Sequence, residues 1–319
     1  MKSRILITRI LPDAVLDAAR AAYDVTLRDD HRPLTEDEAA TALMEYDGIV
    51  PTLGDAFTAK VFASVPEPRA KVLANFGVGY NHIDAPAAKA AGVTVTNTPG
   101  TVTDATADIA MTLILTTARR AGEGERVVRA GKWVGWTPVQ MLGLHVTGKT
   151  VGIIGLGRIG KAIARRCHFG FEMDVVFFNR SQVSDPGVPA RQLPSASEVA
   201  KAADVVVVAV PGSPETHHLI GADFFAAMQD HAIFVNISRG DVVDEPALIA
   251  ALQTGQIAGA GLDVYENEPE VPQDLIAMEN TVLLPHLGTA ALDVRVAMGM
   301  MALDNLAAVL DGRAPPNAV

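Results

Sequence analysis

Six residues constrain this chain more than any others: Gly155-Leu156-Gly157-Arg158-Ile159-Gly160. They follow the apolar run Val151-Gly152-Ile153-Ile154 and open a stretch, Ile159 to Cys167, with apolar residues at helical spacing. A G-x-G-x-x-G between a strand and a helix has a defined physical use. The first glycine permits a tight turn, the second lets the backbone approach a pyrophosphate, and the third lets helix pack close to strand. The helix start then offers free N–H groups and partial positive charge to the phosphates. Such a turn needs a parallel βαβ unit around it, which makes this an α/β protein with a dinucleotide site.

The run begins only at residue 155, after an alternating series of its own. Ile5–Ile7, Asp24–Leu27, Gly48–Val50 and Val72–Ala74 read as strands. Helices are expected over Asp13–Ala22, after the capping box Thr35-Glu36-Asp37-Glu38, and over Ala56–Ser64. A long helical stretch is expected from Thr101 to about Arg129, then a loop holding Trp133 and Trp136. A second series starts at Thr150. Its strands are expected at Thr150–Ile154, Val175–Phe178, Asp204–Val210, Ala232–Asn236, Gly259–Asp263 and Thr281–Leu284, and a last helix at Ala290–Leu310. Strands alternating with helices imply parallel sheets covered on both faces.

Composition narrows the class. With 319 residues, 49% of them hydrophobic and 20% charged, the chain can bury two domain cores. The net charge of −11 argues against general nucleic-acid binding. The six-residue run Val205–Val210 is far short of the ~20 residues that cross a bilayer, so no membrane partner is expected. Cys167 is the single cysteine, which excludes an intramolecular disulfide and a cysteine-built zinc site. That fits a reducing cytoplasm, with Cys167 as a buried core thiol. The scattered histidines His31, His145, His168, His217, His218 and His231 read as surface or packing residues, and no metal site is expected.

The strand after the glycine turn ends in Asn179-Arg180-Ser181. An NAD site places a carboxylate near this point for the ribose 2′-OH. Here no carboxylate repels a 2′-phosphate, and Arg180 can pair with one. NADP(H) is therefore the expected cofactor, with NAD(H) as the lesser alternative.

Further segments complete a pattern: Gly77-Val78-Gly79-Tyr80-Asn81-His82-Ile83-Asp84, Asn236-Ile237-Ser238-Arg239-Gly240, Gly261-Leu262-Asp263-Val264-Tyr265-Glu266-Asn267-Glu268-Pro269 and Pro285-His286-Leu287-Gly288. With these, essentially the whole chain resembles the D-isomer-specific 2-hydroxyacid dehydrogenases. Within that family it is most similar to glyoxylate/hydroxypyruvate reductases, through Ile237–Val243 and Trp136 before Pro138.

Reducing a 2-keto acid needs a hydride donor, a cation for the carboxylate and an acid for the carbonyl oxygen. Arg239 supplies a planar cationic fork, His286 an acid that titrates near neutral pH, and Glu268 a carboxylate to hold the imidazole. The resemblance implies the same roles for these three. It also implies that backbone N–H groups at Val78 and Gly79 hold the substrate carboxylate. Trp136 would reach over from a partner subunit, so a homodimer is expected. The implied cofactor set is Thr106, Gly155, Gly157, Arg158, Ile159, Gly160, Asn179, Arg180, Ser181, Pro211, Ile237, Asp263, His286 and Gly288. Asn81-His82 and Thr289 depart from the commoner family pattern of Asp-Asn and Ser.

The implied fold is two doubly wound parallel-sheet domains. A Rossmann dinucleotide-binding domain (101–287) is inserted into a flavodoxin-like substrate domain (1–100 and 288–319). The expected activity is reduction of glyoxylate or hydroxypyruvate to the 2-hydroxy acid. Two alternatives stand beside it. One is a sister enzyme for phosphoglycerate, formate, phosphite or a bulkier keto acid. The other is a dinucleotide-sensing corepressor on the same fold.

Overall fold

All the named strands pair in parallel, and the central ones, buried on both faces, read as apolar runs rather than alternations. The structure is a computed structural model that describes residues 2–319. The chain divides into two compact units, Met1–Val102 with Thr289–Val319, and Thr103–Gly288.

The first unit runs β1 (Arg4–Ile7), α1 (Asp13–Ala22), β2 (Asp24–Leu27), α2 (Glu36–Glu45), β3 (Gly48–Val50), α3 (Ala59–Ser64), β4 (Val72–Ala74), α4 (Ala85–Ala90) and β5 (Thr94–Thr96). Its sheet order is β2-β1-β3-β4-β5, the flavodoxin-like winding. The helix Leu292–Leu310 returns to this unit and packs Ala302, Leu303 and Leu306 against Ile5, Ile7, Val50 and Val72. Leu306 is fully buried, so its replacement by alanine would cost about 2–5 kcal/mol.

The second unit runs α5 (Thr103–Ala118), α6 (Ala121–Arg129), β6 (Thr150–Ile154), α7 (Arg158–Phe171), β7 (Asp174–Phe178), β8 (Ala190–Gln192), α8 (Ala196–Ala202), β9 (Val205–Val208), α9 (Ala222–Ala227), β10 (Ile233–Asn236), α10 (Glu245–Gln253), β11 (Gly259–Leu262), α11 (Gln273–Ala277) and β12 (Thr281–Leu283). The sheet order is β12-β11-β10-β9-β6-β7-β8. Counted from β6, that is the doubly wound order of dinucleotide-binding sheets with one more strand at the edge. Successive valines of β9 face opposite ways. Val205 and Val207 join the core under α5 and α7, while Val206 and Val208 join the core under α8, α9 and α10. Cys167 lies in the first of these cores, where burial pushes its thiol up to about 12. No helix among the described residues is long and apolar enough to cross a membrane.

Two expectations change, and two strands are added. The helix expected from Ala56 starts at Ala59, because Phe57 bridges to Ile83 and Thr58 caps the helix through Val61 N–H at 3.4 Å. The long stretch from Thr101 is two helices. Arg120 turns left-handed (φ 51°), and the Ala118 carbonyl accepts from Leu144 N–H at 2.7 Å instead of continuing the helix. Strands β5 (Thr94-Val95-Thr96) and β8 (Ala190-Arg191-Gln192) each hold a single apolar residue among polar ones, so no apolar run announces them.

Candidate active site

In the Thr103–Gly288 unit, the loops after β10, β11 and β12 lie at neighbouring C-terminal strand ends, where doubly wound sheets bind ligands. Arg239 follows β10, Asp263 and Glu268 follow β11, and His286 follows β12. His286 Nδ1 is 2.9 Å from Glu268 Oε2. The other oxygen of Glu268 accepts from Tyr265 N–H at 3.1 Å. Burial pushes the Glu268 carboxyl up, but His286, Tyr265 N–H and Arg239 together bring it below its ordinary value.

Arg239 is half-buried. Its Nη1 donates to Ser238 O at 2.7 Å, and its stem packs where a Cβ on Gly212 would stand, 2.8 Å from Cγ. Burial draws the guanidinium pKa down, while Glu268 and Asp241 push it up. Arg239 and Glu268 are therefore within electrostatic reach of each other. Gly240 fixes this proximity. A Cβ there would overlap the Tyr265 carbonyl carbon, so the Arg239 turn lies directly on the backbone that leads to Glu268.

His286 stands in a left-handed conformation (φ 53°), uncommon for a non-glycine residue. Asp263 holds it there. Asp263 O accepts from His286 N–H at 2.9 Å, Oδ1 from Leu287 N–H at 2.6 Å and Oδ2 from Gly288 N–H at 2.8 Å. Thr106 Oγ1 donates to Gly288 O at 3.2 Å, which ties α5 to the same turn. Tyr265 is buried, and its hydroxyl donates to Leu284 O at 3.0 Å, pinning the end of β12.

The glycine turn has the shape a pyrophosphate requires. Gly155 has φ 98°, and a Cβ there would press on Ala209 and Val210. On Gly160 a Cβ would overlap the Gly155 carbonyl oxygen, so α7 begins against the turn itself. Open space lies in front of Gly157, which starts α7 with no side-chain cap. The first N–H groups of α7 are thus left for a ligand. Ile237 is buried beside Val208, and Pro211 lies at the surface. Asn179 Nδ2 donates to Ser181 O at 3.1 Å and Oγ at 3.2 Å, which makes the Asn179–Ser181 turn compact with Arg180 exposed. Glu215 lies within electrostatic reach of Arg180. Its pKa is lowered mainly by hydrogen bonding to Ser213, with Arg180 adding to the effect.

In the other unit, the Gly77–Gly79 loop turns its carbonyls inward. Asn75 Nδ2 donates to Gly77 O and Gly79 O, both at 3.0 Å, and Asn97 Nδ2 donates to Val78 O at 2.9 Å. Among the described residues, no acceptor meets the N–H groups of Val78 and Gly79. An N–H edge of this kind suits an anion. Trp136 is 78% exposed, in a loop without regular structure.

Sequence reading missed Asn75, Asn97 and the clamping role of Asp263. The available signal was a polar residue directly after an apolar strand, as in Ala74-Asn75 and Thr96-Asn97. Three histidines read as surface or packing residues have hydrogen-bond partners: His218 Nε2 meets Glu266 Oε1 at 2.8 Å, His231 Nε2 meets Asp204 Oδ1 at 2.7 Å, and His168 Nδ1 meets Met173 O at 3.1 Å.

The chain is similar to known proteins along its length. Residues 111–288 match the family described as D-isomer specific 2-hydroxyacid dehydrogenase, NAD binding domain. A glyoxylate reductase of Thermococcus gammatolerans is 40% identical, over 100% of this chain and 96% of its own. A glycerate dehydrogenase of Hyphomicrobium methylovorum is 37% identical, over 98% of this chain and 97% of its own. Among solved structures, an NADPH-dependent glyoxylate/hydroxypyruvate reductase of Sinorhizobium meliloti, in complex with NADP and malonate, superposes with a TM-score of 0.87. It is 35% identical and covers 100% of this chain and 97% of its own. The sheet order and the glycine turn, joined to likeness along the full chain, make this protein a member of the D-isomer-specific 2-hydroxyacid dehydrogenase family.

Proposed function

We propose that the protein reduces glyoxylate or hydroxypyruvate to the 2-hydroxy acid, with NADPH preferred over NADH. The observation that carries this reading is the His286–Glu268 pair at 2.9 Å, with the Arg239 guanidinium in electrostatic reach. A bound nicotinamide dinucleotide supplies the hydride. Its pyrophosphate fits the open front of Gly157 and the uncapped start of α7. The remaining cofactor contacts proposed are Thr106, Arg158, Ile159, Asn179, Ser181, Pro211, Ile237, Asp263 and Gly288.

The protein's own groups manage charge and the proton. Arg239 pairs with substrate oxygen atoms and stabilises charge that builds on the carbonyl oxygen. With Nδ1 directed at Glu268, the His286 ring leaves Nε2 as the atom that gives a proton to that oxygen. Glu268 holds the ring in this orientation through the transfer. Val78 and Gly79 N–H groups hold the substrate carboxylate.

The units take their roles accordingly: Thr103–Gly288 binds the dinucleotide, and Met1–Val102 with Thr289–Val319 binds substrate. Trp133, Val134, Trp136, Val139 and Leu142 are 55–99% exposed. So large an apolar surface favours a homodimer built through this loop, with Trp136 reaching the partner's substrate. Light scattering that finds a monomer at micromolar concentration removes the dimer. The lone buried thiol suits the cytoplasm.

The test is the initial rate of absorbance loss at 340 nm with glyoxylate and hydroxypyruvate, comparing NADPH with NADH. Turnover of either acid with NADPH supports the reading. Turnover of only a bulkier 2-keto acid would move the substrate, and no turnover of any 2-keto acid would overturn the function. His286→Ala should lower kcat by about 10²–10⁴-fold.

A further inference from the structure

We propose that His217, His218 and Glu266 bind one divalent transition-metal ion, zinc fitting best, at a site whose ligands are separate from the His286–Glu268 pair. The observation is a juxtaposition that the chain does not show in linear form. Glu266 lies 48 residues after His218, and the fold brings its Oε1 to 2.8 Å from His218 Nε2. The two imidazoles stack with centroids 4.0 Å apart and planes 24° from parallel. One donor atom from each of the three residues lies within 4.8 Å of the others.

Each donor stands on a fixed piece of backbone. His217 N–H donates to Ser213 O at 3.1 Å, within a turn that Thr216 Oγ1 closes onto Pro211 O at 2.8 Å. His218 N–H donates to Asp241 O at 2.8 Å, and its φ of 49° is left-handed. Such backbone persists where the surroundings over-determine it, and it clusters at functional positions. Glu266 N–H donates to Glu245 Oε1 at 2.9 Å, and the backbone beside it rests on Gly240.

The distances suit zinc. Bonds of about 2.0–2.2 Å in a tetrahedron set ligand atoms about 3.4 Å apart. Replacing the proton between His218 and Glu266 by the ion opens that pair by a few tenths of an ångström. His217, which is exposed, closes the longer gap by side-chain rotation. Two imidazoles and one carboxylate select zinc, cobalt or nickel over the oxygen-seeking calcium and magnesium. Water takes the fourth position. Charge favours the ion too: Glu268 shares the loop of Glu266, and Glu245 at the start of α10 reaches the Glu266 N–H, in a chain of net charge −11.

The ion would tie the 211–218 turn to the loop after β11. Chelator-treated protein should take up one equivalent of zinc by calorimetry and melt at a higher temperature with zinc than without. His217→Ala should weaken zinc at least about tenfold and abolish the thermal shift, with keto-acid turnover unchanged. His286→Ala should bind zinc as the wild type does. No uptake at millimolar zinc, or undiminished affinity in His217→Ala, would overturn the site. Loss of zinc in His286→Ala alone would place the ion at the catalytic pair and also overturn it. Calorimetry and melting do not depend on turnover, so this proposal and the reductase reading fail separately.

Discussion

Asp263 carries the turn on which His286 stands: its carbonyl oxygen accepts from His286 N–H, and its carboxylate takes the next two N–H groups. Without that carboxylate the left-handed conformation of His286 has less to hold it. Asp263→Ala should lower kcat by about 10²-fold, the worth of an ångström of misplacement. Burial raises the Asp263 pKa, so it takes up a proton at a higher pH than an ordinary aspartate. The wild-type rate should therefore fall on the acid side before ordinary aspartates titrate. An Asp263→Ala enzyme with wild-type kcat would remove the clamp.

Glu268 is the reverse case. Its folded pKa lies below the unfolded 4.5: burial is the largest single influence and raises it, but His286, the Tyr265 N–H and Arg239 together outweigh burial. Its contribution to stability is full above 4.5 and is lost as pH falls through the lower folded value. Glu268→Gln should abolish that part of the acid dependence of Tm. It should also lower kcat at all pH values, since the amide cannot hold the His286 ring as the carboxylate does at 2.9 Å. Melting curves and rate profiles across pH read both effects. Superimposable profiles would sink the assignment.

Glu215 lies within electrostatic reach of Arg180 at the proposed 2′-phosphate position. Arg180→Ala should raise KM for NADPH about tenfold or more and leave KM for NADH nearly unchanged. Glu215→Gln should act the other way and tighten NADPH, because a carboxylate near the phosphate is removed. Steady-state KM for both cofactors decides this, and equal losses in Arg180→Ala would defeat the NADPH reading.

Asn75 shapes the Gly77–Gly79 loop with two hydrogen bonds, each worth about 0.5–1.5 kcal/mol. Asn75→Ala should raise KM for the keto acid about tenfold and leave cofactor KM unchanged. Asn75→Asp should be worse, since a carboxylate would face the carbonyls of Gly77 and Gly79. If neither variant moved KM for the keto acid, Val78 and Gly79 would not be its carboxylate ligands.

The sequence alone determined the α/β class, the glycine turn and the order of the segments bearing Arg239, Glu268 and His286. Those features rest on short-range rules. Apolar runs in β6, β9 and β10 must be buried on both faces, and a G-x-G-x-x-G must lie between strand and helix. Only the tertiary structure decided what depends on contacts between distant residues. Arg120 breaks a helix that periodicity alone would continue, because the Ala118 carbonyl bonds to Leu144 instead. Asp263 can be recognised as the clamp on His286 only when β11 and β12 lie side by side. Asn75 and Asn97 read as ordinary polar residues after strands until their amides are seen holding the loop carbonyls. His218 and Glu266 meet only because the loop after β9 folds against the loop after β11. The physical reason is common to all of these: a period records which way a side chain faces along its own element, and it carries no record of which distant backbone group stands opposite.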